Sequence, residues 1–352
     1  MVPAKLAGWL ASRAWHARLD RSVVALEGAD GRKLLQGLVT ADVPQLDAGP
    51  LYAAFLGAQG RVLLDAFLIG GPAGSVLLDV ERAAVAPLLA HLKRYRLRSK
   101  AHARDASDEY EVLAANHDLP ASGGACDGGA WVDPRLPCLG SRVLLRRENS
   151  AASWMSDSRE VGPELYNMQL ELLGVPNGAV ALPPAEALPL EANLEHLNAV
   201  SFAKGCYLGQ ELTARTNFRG VVRKRLLPVV DASLPSPANT DSADCPPAFA
   251  HLPTTERSLA ARLLGDHAPL ATKRSMADMQ LSALVPGAQL RDAQGSKVAN
   301  LRHYDAARGV GLALCRLTAL TSGEQLVSSD GMSLIPLRPS WWPDHIGVSP
   351  PA

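Results

Sequence analysis

"KGCYLGQELTAR", Lys204–Arg215, lies inside the longer run "SFAKGCYLGQELTARTNFRGVVRKRL" of residues 201–226. Cys206 follows Gly205 directly and precedes Gly209 by three positions. Six cations, Lys204, Arg215, Arg219, Arg223, Lys224 and Arg225, fall within 22 residues, against a single acid, Glu211. Positive charge beside a thiol favours the thiolate, which is the nucleophilic, redox-active and metal-ligating form. Glycines on both sides permit a tight or positive-φ loop that could present the thiol and its amides to a ligand. From spacing, two readings stand. Either the glycines make a turn, the cysteine packs and the cations cover a surface, or the loop carries a working thiol.

The rest of the chain narrows the chemistry. Its 352 residues are long for one compact domain and predict two or three units. The 35 basic and 35 acidic side chains cancel, so anion recognition must be local. The five cysteines, Cys126, Cys138, Cys206, Cys245 and Cys315, are odd in number, widely spaced and contain no C-x-x-C pair. That spacing suggests neither a disulfide framework nor a standard zinc site, and fits a reducing compartment. A complete protein-held iron–sulfur cluster needs four ligands, so no permanently bound metal is expected. No P-loop, dinucleotide fingerprint, H-E-x-x-H or G-x-S-x-G is present. No apolar run is long enough to cross a bilayer, and no membrane partner is expected.

Towards the N-terminus, "MVPAKLAGWLASRAWHARL" holds Lys5, Arg13 and Arg18 with no acid before Asp20. This is the composition of a mitochondrial targeting segment, read as residues 1–18. "GADGRKLLQGLVTADV" predicts a short helix with Asp30 as N-cap and Leu34, Leu35 and Leu38 at helical spacing. "LYAAFLGAQGRVLLDAFLIGG" predicts a hairpin around Gly57–Gly60, its second strand apolar on both faces. Asp65 interrupts that strand, either as a carboxylate capping a nearby amide or as a ligand-binding group facing a cavity. The next helix carries Val85, Leu88, Leu89, Leu92 and Tyr95 as one stripe, with Pro87 in its first turn and a basic, solvated C-terminal end. "ELYNMQLELLGVPNG" predicts a further helix closed by Gly174. Residues 231–282 are rich in Pro, Ser, Thr and Asp without periodicity, and read as an insertion containing an incidental Cys245. Short alternating runs then predict a small antiparallel barrel or sandwich with Cys315 in its core.

"KGCYLGQE" closely resembles the K-G-C-Y-x-G-Q-E signature of the folate-binding YgfZ family, which includes a mitochondrial iron–sulfur cluster assembly factor and is related to the aminomethyltransferase of the glycine cleavage system. "GADGRKLLQGLVTADV", "GAQGRVLLDAFLI" and "LPLEANL" resemble its helix, hairpin and pterin-contacting segments, and "RPSWWP" its mitochondrial branch. The resemblance runs from about Leu19 to Pro343 and skips the insertion. It implies an α+β, aminomethyltransferase-like three-lobed ring: a folate-binding domain of two interlocked α+β lobes over residues 19–222 and a C-terminal β-barrel over 223–345. It implies tetrahydrofolate as cofactor. The folate-site residues so implied are Asp65, Glu191, Asn193, Lys204, Tyr207, Gln210, Glu211 and Arg215, with Cys206 as the signature thiol. A carboxylate at Glu191 suits a pterin edge because it can accept two parallel N–H donors.

Three departures bear on the chemistry. Leu64 stands where the aminomethyltransferases have a second aspartate beside Asp65, Pro189 where they commonly carry arginine, and Asn193 where they carry glycine. The expected function is therefore maturation of mitochondrial iron–sulfur proteins, chiefly [4Fe–4S] clients, in the matrix. The implied partners are A-type iron–sulfur carriers and glutaredoxin. A tetrahydrofolate-dependent aminomethyltransferase is the first alternative. A folate-dependent tRNA-modification helper is the second, with Arg219–Arg225 as its one basic face; zero net charge and little aromatic interleaving argue against nucleic acid.

Overall fold

The computed structural model describes residues 14–119, 128–149, 153–233, 252, 260, 286–306, 308–321 and 325–346. Two compact units form: one gathers Ala14–Tyr166 and Leu182–Val221, the other Asn167–Ala181 and the chain from Val222. The segment Asn167–Ala181, which the sequence reading kept with the folate domain, thus groups with the barrel.

The first unit holds two five-stranded sheets. Its strands are β1 (Trp15–Arg18), β2 (Arg21–Glu27), β3 (Leu51–Leu56), β4 (Val62–Gly70), β5 (Val76–Glu81), β6 (His102–Asp105), β7 (Tyr110–Ala115), β8 (Gly128–Val132), β9 (Ser141–Arg146) and β10 (Arg159–Val161). One sheet runs β3-β4-β5-β2-β6, antiparallel throughout; the other runs β10-β1-β7-β9-β8, with β1 and β10 parallel. Its helices are α1 (Gly31–Gln36), α2 (Val85–Arg96), the start of α3 (Pro163–Leu173, across which the division between units falls) and, after α4 (Gly178–Ala181) of the other unit, α5 (Gln210–Arg219).

Side-chain alternation along the strands builds two cores. Val24, Leu26, Leu68, Leu78 and Val80 face α1 and α2 and pack with Leu35, Leu88 and Leu92. Val23, Ala25, Ile69 and Leu77 face the second sheet and pack with Tyr110, Val112 and Leu144. This double cover explains why β4 is apolar on both faces although its sheet is antiparallel. The hairpin forms as expected, pairing Leu51 with Leu68 and Ala54 with Asp65. Pro87 lies in the first turn of α2, and Gly174 ends α3 at φ 69°.

Two expectations are corrected. Asp30 precedes α1 but does not cap it; its Oδ2 accepts the Lys100 backbone N–H at 2.6 Å instead. The stretch read as a leader overlaps the fold, since β1 starts at Trp15, and Trp15 and Ala17 are fully buried. The first thirteen residues of that stretch lie outside the described residues, as do Cys126, Cys245 and nearly all of 231–282.

The second unit is a closed antiparallel barrel, β11 (Lys224–Asp231), β14 (Val310–Arg316), β13 (Lys297–Asp305), β12 (Gln289–Arg291), β15 (Leu326–Val327) and β16 (Ser333–Pro336), shut by β16 pairing β11. Closure leaves no unpaired strand edge. Leu227, Val229, Leu290, Leu301, Ala313 and Cys315 fill it. Trp342 is buried against this core, and Trp341 Nε1 donates to the Leu173 carbonyl at 2.7 Å.

Candidate functional site

The segment from Ser201 to Gly209 is a loop leading into α5, and two distant stretches hold it. The first is the run after α1. Thr40 is the pivot: its hydroxyl donates to the Ala199 carbonyl at 2.6 Å and accepts the Ala54 N–H at 2.9 Å. Its carbonyl accepts the Ser201 N–H at 2.9 Å, and the Gly37 carbonyl accepts the Leu208 N–H at 2.9 Å. Lys204 turns inward and its ammonium donates to the carbonyls of Val39 (2.8 Å) and Ala41 (2.6 Å). Its Nζ also lies over the Tyr207 ring, 5.0 Å from the centroid. Burial beside neutral carbonyls pulls the Lys204 pKa down to about 8, with the Asp42 charge opposing. Burial pushes Tyr207 up to about 12.

The second stretch is the hairpin turn. Gly209 has φ +79°, and a Cβ there would meet the Gly57 carbonyl oxygen at 2.3 Å. Only glycine fits, because the conformation and the close approach both exclude a side chain. Just before "LPLEANL", Val62 N–H donates to the Ala187 carbonyl at 2.9 Å, and Ala185 N–H returns to the Val62 carbonyl at 2.7 Å, so the residues that precede this motif pair with the hairpin. The signature loop, the run after α1 and the hairpin turn therefore meet in one piece of structure. The Tyr207 N–H donates to Gln210 Oε1 at 2.7 Å, which closes the loop onto α5.

At the apex, Cys206 is free and exposed. Cys138 is half-buried; Cys315 is fully buried, and burial pushes its thiol up. Among the described residues, no three His, Cys, Asp or Glu side chains gather where one metal ion could be held. Glu211, Arg215 and Arg219 are exposed on α5. Phe218, between those arginines, is 68% exposed and meets Phe202 edge-on at 6.0 Å. Gly205 needs no special backbone: a Cβ there would meet nothing within 4 Å. The six cations of the run thus divide, with Lys204 turned inward and Arg225 buried in the barrel unit over Trp342 (5.7 Å).

Asp65 belongs elsewhere. It is buried and accepts the Tyr52 hydroxyl at 3.0 Å. This places it in a charged layer between the two sheets that the sequence reading did not find. There Asp79 receives Arg142 Nε at 2.7 Å and the Arg21 guanidinium, Asp133 binds Arg135 Nε at 3.0 Å, and Tyr166 accepts from Arg135 and Arg142. Phe67 lies under three guanidinium groups, those of Arg21, Arg135 and Arg142, the last at 3.7 Å. The available signal was Asp79 inside the apolar run "VLLDVE", where a lone carboxylate demands a partner. Glu191 is half-buried, and Asn193 is fully buried at φ 61°. Asparagine tolerates that left-handed conformation best after glycine, which accounts for its place here.

The chain is 34% identical over 364 residues to the human "iron-sulfur cluster assembly factor IBA57, mitochondrial", covering 95% of this chain and 87% of that protein. The chain belongs to the IBA57 family of mitochondrial iron–sulfur cluster assembly factors. A Mycosarcoma maydis homologue is 39% identical over 269 residues, and the chain spans 66% of its length. Residues 223–344 match the CAF17 C-terminal β-barrel domain. Glycine cleavage system aminomethyltransferase T from Bartonella henselae superposes with a TM-score of 0.65 at 12% identity, covering 95% of this chain and 88% of that one. The fold is aminomethyltransferase-like; at that identity the likeness speaks to fold alone.

Proposed function

We propose that this chain matures mitochondrial iron–sulfur proteins, [4Fe–4S] clients foremost, through the thiol of Cys206. The observation that carries the reading is the contrast between an exposed Cys206 and the rigid frame beneath it. A thiolate is the preferred ligand of cluster iron, and a cluster takes four ligands. This loop supplies one, so the others come from a partner: an A-type carrier, with glutaredoxin a further source. The cluster is cargo, held between the two proteins during transfer. Phe218 flanked by Arg215 and Arg219 offers that partner an apolar contact rimmed with positive charge.

Tetrahydrofolate is the finer part of the proposal. Glu191 fits it: a half-buried carboxylate, shortly after the residues that pair with the hairpin, can accept the parallel N–H donors of a pterin. Asp65 fits less well, since its carboxylate already serves Tyr52 inside a buried ion network. With Leu64 beside it, this weakens the aminomethyltransferase alternative, because no second acid accompanies the first.

The test is rescue of cells depleted of their own family member, read by aconitase and succinate dehydrogenase activity. Wild type is expected to restore both, Cys206→Ala neither, and Glu191→Ala to separate folate binding from thiol function. Full rescue by Cys206→Ala would overturn the thiol role. If wild type restores nothing while the purified chain transfers a one-carbon unit to tetrahydrofolate, the aminomethyltransferase reading replaces this one.

A further inference from the structure

The end of α2 carries a cationic surface outside the Cys206 loop. Residues 93–100 read "KRYRLRSK", with five cations and no carboxylate. Lys93, Arg94, Arg96, Arg98 and Lys100 are all exposed, and none of them joins an ion pair among the described residues. Arg94 lies over the Tyr95 ring at 5.6 Å, and Arg96 reaches the Ala101 carbonyl at 3.5 Å. The helix dipole accounts for cations in the last turn, but Arg98 and Lys100 lie beyond the helix end. Because the whole chain is neutral, this field is local.

At the tip stands Leu97, 85% exposed, with φ 47° and ψ −110°. That backbone is strained for a bulky side chain, and the side chain, left in solvent, gains little packing in return. Beside the tip a cavity of about 370 Å³ opens over an apolar floor of Leu26, Leu34 and Leu89, with Lys93, Arg96 and His102 among its lining.

We propose that this tip docks on an anionic phospholipid surface. The cations bind headgroup phosphates, Leu97 enters the interfacial layer, and the cavity receives the apolar part of one lipid. An acidic protein or a nucleic acid would satisfy the cations but would leave Leu97 and the apolar floor without a role. A stacking platform for bases is missing as well, since Tyr95 is packed on the core cluster and covered by Arg94. The contact is peripheral: among the described residues no helix is long and apolar enough to cross a membrane. In a mitochondrial family, cardiolipin is the abundant anionic lipid to test. The inference does not depend on Cys206.

The experiment is co-sedimentation of the full chain with vesicles of phosphatidylcholine alone or mixed with cardiolipin, at low and high salt. Binding is expected only with cardiolipin and is expected to weaken with salt. Arg98→Gln with Lys100→Gln should weaken it about 30-fold, from two lost cations. Leu97→Gly is the sharper variant. Glycine accepts the backbone, so the fold is kept, while vesicle binding falls about tenfold and binding to soluble polyphosphate stays the same. Equal binding to both vesicle types would overturn the proposal. So would a Leu97→Gly variant that binds cardiolipin vesicles like wild type, which would leave a site for soluble polyanions or acidic proteins.

Discussion

The charged layer between the two sheets and the Cys206 loop both concentrate polar residues, and they use them in opposite ways. In the layer, Asp79, Asp133 and Asp65 meet Arg21, Arg135, Arg142 and Tyr52 at nearly complete burial. Its charges are matched internally. Burial alone would lower the Arg21 and Arg135 pKa values and raise that of Asp133. Paired charge reverses each shift, leaving both arginines raised and Asp133 lowered. The loop is held instead by backbone carbonyls, one lysine and close glycine contacts, and it leaves its thiol outside. A polar cluster that saturates itself stabilises the fold; one whose frame is satisfied while a reactive atom stays exposed is available to a partner.

The largest effect separating the two is expected from Asp79→Ala. It strands two buried guanidinium groups, and removing one partner of a buried pair costs about 3–5 kcal/mol. Cys206→Ser should change stability by no more than about 0.5 kcal/mol, as for an exposed side chain, while abolishing rescue. Urea unfolding of both variants checks this. A Cys206→Ser protein as unstable as Asp79→Ala would make the thiol a packing residue and collapse the distinction.

Two glycines then sharpen the picture of the frame. Gly209→Ala drives a methyl into the Gly57 carbonyl at a positive φ and should cost about 1–3 kcal/mol. Gly205→Ala, next to the cysteine, points into open space and should leave stability within about 0.5 kcal/mol. Should Gly205→Ala still impair rescue, the bare backbone at Gly205 serves a partner that approaches it.

Much of this was legible in the sequence, and what was not has a physical reason. The hairpin, α2 with Pro87 in its first turn, the Gly174 stop and the barrel all follow from local periodicity and turn chemistry. The exposed thiol was one of two open readings for Cys206, and the fold decides it, while Cys315 is buried as its apolar run predicts. The charged layer stayed hidden because its partners are remote: Asp79 lies 58 residues from Arg21 and 63 from Arg142. The inward course of Lys204 stayed hidden for the same reason, since its acceptors Val39 and Ala41 lie 165 and 163 residues away. Trp15 was assigned to a leader because a four-residue strand within a basic, apolar stretch has no signature of its own.

The smallest effect concerns Lys204 and follows from the sign of its shift. Its folded pKa is pulled down to about 8 from 10.5, so burial makes the charged form costly in the native state. Below pH 8 both folded and unfolded chains hold the proton, and that cost is fully present. Between 8 and 10.5 the unfolded chain holds more protons than the folded one, so the Lys204 contribution to stability rises with pH. Lys204 is part-exposed, and solvent screening keeps the effect modest. The measurement is the difference in unfolding free energy between wild type and Lys204→Met across that range, which cancels every other titrating group. The difference should move in favour of wild type as pH rises. A flat difference would mean the ammonium is solvated in the folded state, and the two carbonyl bonds would then no longer explain how the loop holds Cys206 in place.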